Sequence, residues 1–441
     1  MKLLSFWSAI AFFVLATATQ ANTTSTSSSA LNAEYQRFVL EDYLYKKNKL
    51  KSGNLVKNTF DDVFHTFTSS LSTGNNADAI AIIAANHNRL ITNIDDEKFI
   101  TLFKYLLQQQ ATSVAEIFYN DARQYADSYT QAKLNYFLAM HHFDMGDWQK
   151  AQTFLTRIES RNALENSQSD YATLMFGITL QNQKNHRAAI KHYQSIAETS
   201  TYYNHALLNI AVAYIRQGWW TDAKISIEKA LGNKLSQPAD EFENRLYLVL
   251  GSNQLQHEFY RNAREAFRNV EIESQYADQA LLGIGLSALN QGDYVGAINA
   301  FGILKAKTDY SLPIIESHLL FAYTHEQMGE KSLASAHYEA AIAFYNQLLL
   351  KLSAGNTAFF EDKSNTAITQ TYIAKSKLLE SIQKDPNTSK PLRKNAEKLA
   401  MQYSQQIAMV DRLRQQKANT VLTSYLSQAQ FGQAKIFDTI N

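Results

Sequence analysis

The sequence predicts an all-α fold: a solenoid of antiparallel helical hairpins followed by a long C-terminal helical hairpin. Three observations lead there. Of 441 residues only 15 are glycine and 4 proline, about 3% and 1% against ordinary usage near 7% and 5%. The turns that sandwiches, barrels and doubly wound sheets depend on are therefore scarce. At 45% hydrophobic and 12% aromatic, the chain can build an extended core and is not composed like a disordered one. Third, a small residue, an alanine and a large residue recur together at fixed offsets through the middle of the chain.

In chain order, residues 1–21 read as a secretory signal. Lys2 gives the positive start, Leu3 to Leu15 is apolar apart from Ser5 and Ser8, and small residues allow cleavage after Ala18 or Ala21. That apolar core is shorter than the about 20 residues a spanning helix needs. The expected location is the periplasm, with an uncleaved inner-membrane anchor as the alternative. The sequence has no cysteine, so it lacks a lipid-attachment residue, and export without disulfides fits a bacterial periplasm. Residues 22–30 are Ser/Thr-rich and expected to be a disordered linker. Residues 31–95 should hold helices that start or cap the solenoid, at Ala33–Lys49, Thr59–Leu71 and Asp78–Ile91.

The repeat occupies residues 96–350. A small residue stands at Ala139, Gly177, Ala211, Gly251, Gly285 and Ala322. Twelve residues after each comes Ala151, Ala189, Ala223, Ala263, Ala297 or Ala334, and four further on Leu155, Tyr193, Ile227, Phe267, Phe301 or Tyr338. Turns read Gly146-Asp147-Trp148, Gly218-Trp219-Trp220 and Gly292-Asp293-Tyr294, while Lys184 and Glu258 replace the glycine in two others. The small residue lets a second helix approach, its alanine fits the gap, and the glycine permits the tight turn. One hairpin cannot bury its own apolar face, so neighbours must stack.

This pattern resembles the tetratricopeptide repeat family, most closely over Leu281–Gly285 and Gly292–Phe301. The resemblance covers six clear units from about Lys133 to Tyr345. A degenerate seventh spans Glu97 to Ala122, with Phe103, Ala115 and Tyr119 in register. It implies a right-handed superhelical solenoid whose first helices line a concave face, which either receives a partner segment or is filled by the chain's own terminal helices. Three positions per first helix would point there: three before the small residue, one after it and four after it. Groove candidates on that basis are Tyr136, Met140, Phe143, Ile178, Gln181, Val212, Leu286, Leu289 and Tyr323, with Arg216 and Arg245 in a polar rim. The asparagine with which family members clamp a peptide's terminal carboxylate is absent from these positions. Trp219 sits beside a tryptophan that already fills the aromatic position, so it either packs against the next unit or is a candidate interface anchor.

Longer connecting loops are expected at Glu159–Asp170 and at Leu231–Phe242, the latter containing Pro238. Gly355 should end the helix that begins near Ser332. Residues 351–441 should then form a capping or coiled-coil-like region, with helices at Ser364–Gln383 and from Pro391 to about Gln430.

Neither a cofactor nor a metal set is legible. His257-Glu258 and His325-Glu326 begin like a helical zinc-protease motif, but Arg261 and Gly329 stand where the second histidine belongs. The 89 residues after Leu352 fall short of the roughly 150 of an ordinary catalytic domain. With 42 basic against 41 acidic residues, net +1, nucleic acid is not an expected partner and membrane contact is not required. The expected role is non-catalytic binding of an envelope protein or peptide segment. Alternatives are a polysaccharide- or peptidoglycan-binding module and a homo-oligomer joined through the C-terminal helices.

Overall fold

The computed structural model describes residues 25–50, 55–158, 163–232, 240–355 and 363–440. The expected signal and its cleavage sites lie outside them. Among the described residues there are 20 helices and no strands, as the composition requires. They are α1 (Ser25–Lys49), α2 (Phe60–Ser72), α3 (Asn76–Ala85), α4 (His87–Thr92), α5 (Glu97–Gln108), α6 (Thr112–Ala122), α7 (Ser128–Asp144), α8 (Trp148–Thr156), α9 (Asn166–Asn182) and α10 (His186–Gln194). Then come α11 (Tyr203–Arg216), α12 (Trp220–Gly232), α13 (Asp240–Gln256), α14 (Tyr260–Arg268), α15 (Ala277–Asn290), α16 (Tyr294–Lys305), α17 (Leu312–Gln327), α18 (Lys331–Ser353), α19 (Lys363–Lys384) and α20 (Lys390–Ile440). None of the described helices is long and apolar enough to cross a membrane.

One turn recurs eight times among the described residues. At Gly74, Gln110, Gly146, Lys184, Gly218, Glu258, Gly292 and Gly329 the backbone is left-handed, with φ between 60° and 81°. In each case the next residue's N–H donates to the carbonyl five residues back, for example Asp147 to His142 and Glu330 to His325. This is the Schellman stop, which satisfies orphan carbonyls at the end of the first helix and reverses the chain. Lys184 and Glu258 keep the same geometry as the glycines they replace. A side chain in this conformation costs about 1–2 kcal/mol relative to the right-handed region, so the hairpin packing imposes the turn on them.

The Gly74 turn shows a hairpin beyond the expected set. α2 and α3 join through Gly74-Asn75, and Ala79 follows Asn75 by four residues as Ala151 follows Asp147. Among the described residues there are thus eight such hairpins, the first of them α2 with α3, upstream of residue 96. The single helix expected at Asp78–Ile91 is two, α3 and α4. They break at buried Asn86, whose amide donates to the carbonyls of Leu55 and Ile82 at 2.8 Å.

Other boundaries also move. α1 starts at Ser25, inside the expected linker. Leu31, Tyr35, Phe38 and Tyr43 bury its inner face, and serine's modest propensity deficit does not stop an anchored helix from extending backwards. The long loops are shorter than expected, because α9 already begins at Asn166, α12 runs to Gly232 and α13 starts at Asp240. Residues 159–162 and 233–239, including Pro238, lie outside the described residues. α18 ends as expected before Gly355, at φ 86°, and α20 runs ten residues past the expected Gln430.

The chain divides into two compact units, Gln20–Ile196 with Ser364–Val410 and Ala197–Lys363 with Asp411–Asn441. Each holds four hairpins. In the first, Lys46 of α1 is fully buried between Asp42 and Asp385, 2.8 Å from each, and the Tyr35 and Tyr403 rings meet edge to face at 5.7 Å. In both, the repeat register has one physical cause. A Cβ at Gly177 would stand 2.2 Å from the Tyr193 ring, at Gly251 2.6 Å from Phe267, and at Gly285 2.4 Å from Phe301. In these three hairpins the ring of the second helix fills the place a side chain would take on the first.

Candidate interaction site

The expected groove separates into rows with different fates. The first row, Tyr136, Leu174, Leu208, Leu248, Leu282 and Leu319, is buried throughout. Tyr136 is thus core rather than groove. Its position three before the small residue places it on the same helix face, against the partner helix. The second row, Met140, Ile178, Val212, Ser252, Leu286 and Tyr323, is half-buried in all six of these hairpins. In the third row Gln181 is buried and accepts a hydrogen bond from the Tyr193 hydroxyl at 2.8 Å, so it is committed inside its own hairpin. Phe143 is half-buried with its ring edge to face against Trp148 at 5.6 Å, and Leu289 packs beside Phe301.

Half-exposed candidates in the first unit are therefore Met140, Phe143 and Ile178. In the second they are Val212, Arg216, Arg245, Leu286 and Leu289. Arg245 lies near His205, whose pKa is lowered first by burial and then by that guanidinium.

Tyr323 has a different surrounding. It packs into a cluster where Ile315, Leu319, Tyr338 and Tyr345 meet Ala418, Leu422, Ala429 and Ile436 of α20. Lys435 reaches Glu326 at 2.5 Å, the Tyr338 hydroxyl donates to the same carboxylate at 2.7 Å, and the Tyr345 and Tyr425 rings stack at 5.9 Å. Here the chain covers its own first-helix face. Glu316 is buried in this contact, and burial pushes its carboxyl up to about 7, opposed only by the Tyr425 hydroxyl that donates to it.

Two exposed aromatic rings of the second unit lie at the hairpin turns. The residue after each left-handed position is the N-cap of the second helix. Asp147, Asn185 and Asp293 accept there from the backbone N–H three residues on, an arrangement worth about 1 kcal/mol. In two consecutive hairpins this place holds Trp219 and Phe259, which are 39% and 60% exposed. The Trp219 ring lies 5.7 Å from that of Tyr214, and Phe259 makes no side-chain cap. Trp219 was legible in the sequence as a surplus aromatic. Phe259 was missed, although Glu258-Phe259-Tyr260 aligns with Gly218-Trp219-Trp220.

The paired histidines of α17 diverge. His318 stacks on Phe344 at 3.7 Å and burial lowers its pKa to about 4, whereas His325 contacts Glu330 at 2.6 Å.

No family model and no curated protein matches the chain. Among solved structures it is similar to a tetratricopeptide repeat protein from Parabacteroides merdae, with 17% identity over 62% of this chain and 99% of that one, at a TM-score of 0.37. It is also similar to a signal transduction ATPase with a tetratricopeptide repeat sensor from Pyrococcus horikoshii. That match has 14% identity over 70% of this chain and 52% of that one, at a TM-score of 0.42. The apo form of the quorum sensor NprR from B. thuringiensis gives 12% identity over 73% and 99%, at a TM-score of 0.37.

Proposed function

We propose that the chain is a non-catalytic interaction scaffold of the periplasm, which binds an envelope protein or peptide segment through its helical repeats. The observation that carries this reading is the exchange of caps for exposed rings at Trp219 and Phe259. Each exchange forgoes about 1 kcal/mol of helix stability and leaves a large aromatic partly exposed, which favours contact with a partner. The half-buried residues Val212, Leu286 and Arg245 in the same unit supply further contact surface. The periplasmic part rests on the signal-like residues 1–21.

Exposed rings are also the platforms on which sugars stack, so a polysaccharide-binding module is the second reading. A photo-crosslinking residue placed at Trp219, at Phe259 and separately at Met140 in living cells tests both. One distinct envelope protein joined to the turn positions is the expected result. Retention on purified sacculi that is lost on replacing the two rings, with no protein adduct, would transfer the reading to polysaccharide. Adducts at none of the three positions, without sacculus retention, would refute both.

A further inference from the structure

The last part of α20 is a first helix of the repeat in disguise. A Cβ at Gly432 would stand 2.4 Å from the Tyr338 ring, just as one at Gly283 would stand 2.4 Å from Phe267. Phe267 and Tyr338 hold the same position in their hairpins, so Gly432 corresponds to Gly283 of α15. The correspondence extends outward. Tyr276 and Ala280 pack beside Phe267, and Tyr425 and Ala429 pack in the cluster around Tyr338. Direction agrees too: Tyr425 meets Glu316 and Lys435 meets Glu326, ten residues apart on both helices, so α20 runs parallel to α17.

This register identifies an open face. In α15 the residues three before, at and three after the small position are Leu282, Gly285 and Ala288, all buried beneath neighbouring helices. The equivalents in α20 are Phe431, Ala434 and Phe437. Ala434 is exposed, and the two rings are 69% and 52% exposed. Among the described residues this first helix carries no second helix on the face where the hairpins carry theirs.

We propose that this stripe is a homodimerisation surface, on which the same helix of a second copy lies antiparallel. The pattern is its own complement. Phe431 and Phe437 stand three residues to either side of Ala434, so a two-fold axis through Ala434 sets each ring against the other ring of the partner copy. Small residues at the crossing let the helices approach as Gly285 does. No like charges meet: Asp438 faces a glutamine (position 430), and Lys435 is held by Glu326 of its own chain. The contact spans about two helical turns, so it supports concentration-dependent association rather than an obligate dimer.

The native chain has no cysteine, which makes the test direct. Full-length chain carrying Ala434→Cys is oxidised beside a second variant, Thr423→Cys, exposed on the same helix three turns back. At the axis the two Cβ atoms come within disulfide reach, about 4 Å, whereas position 423 lies about 30 Å from its counterpart. Disulfide-linked dimer should form about tenfold faster or more at 434 than at 423, and Phe431→Ser should abolish the difference. Equal linkage at both positions overturns the proposal. So does a wild-type chain that sediments as a monomer at every concentration, or an Ala434→Cys chain that joins only a different protein in cells.

Discussion

Glu316→Gln is expected to stabilise the second unit above neutral pH and to leave it nearly unchanged in acid. The Glu316 carboxyl is buried against Tyr425 of α20 and near Tyr345 of α18, and burial pushes it up to about 7 from an ordinary 4.5. Between those values the folded chain holds a proton that the unfolded chain has released, so stability falls as pH rises from about 4.5 to 7 and stays lowered above. The span of about 2.5 units corresponds to about 3 kcal/mol. Glutamine keeps the volume and an oxygen for the Tyr425 hydroxyl while removing the titration. For a unit of about two hundred residues, 3 kcal/mol is about 6–12 °C in Tm. Thermal unfolding of both proteins should show curves that coincide near pH 4.5 and separate progressively to pH 8, the variant being the more stable. A separation that is the same at pH 5 and pH 8 would refute the assignment of a titrating carboxyl to this contact.

Four further outcomes follow from particular contacts. Lys184→Gly and Glu258→Gly should each raise stability by about 0.5–1 kcal/mol, since glycine relieves the left-handed strain at a smaller entropic cost; urea midpoints report it. Gly285→Ala drives a methyl into the Phe301 ring and should destabilise by about 1–3 kcal/mol in the same assay. Lys46→Met leaves Asp42 and Asp385 buried without their cation, costing about 3–5 kcal/mol, and adding Asp42→Asn and Asp385→Asn should restore most of the loss in denaturant melts. Trp219→Asp with Phe259→Asp should do two opposite things: stabilise by about 1 kcal/mol per restored cap and abolish the partner adduct read from a crosslinking residue at Val212.

How far the sequence revealed this architecture depended on how many atoms enforced each position. Gly177, Gly251 and Gly285 face a ring at a distance that admits no side chain, so their register was legible without any structure. The hairpin of α2 and α3 was not, because Phe67 occupies the place of the small residue twelve before Ala79. Only its turn, Gly74-Asn75, carried the signal. The groove rows were misjudged for a related reason. Spacing says which residues share a helix face, but not how deeply a neighbouring helix covers it, and Tyr136 and Gln181 fall on the covered side. In α20 the three-to-four spacing suggested a capping helix or a coiled-coil-like hairpin. The finer pattern Tyr425, Ala429, Gly432, which repeats Tyr276, Ala280, Gly283, was present but hidden in a long continuous helix.

The two units differ in where they give up stability, and that difference bears on function. In the first, Asn75, Asp147 and Asn185 cap three of the four second helices, Ala111 being the exception, and the buried Lys46 has two carboxylate partners. In the second, two successive caps are aromatic rings in water, a carboxyl is buried with only a hydroxyl to receive, and a repeat helix exposes two phenylalanines. Each of these leaves on the order of 1–3 kcal/mol unused. Folding alone would not retain all three in one unit, because single substitutions remove each of them. Contacts with other molecules would retain the exposed rings, since they are the groups such contacts bury. The second unit is therefore where crosslinks to a partner and to a second copy should concentrate, while Met140 in the first should yield fewer.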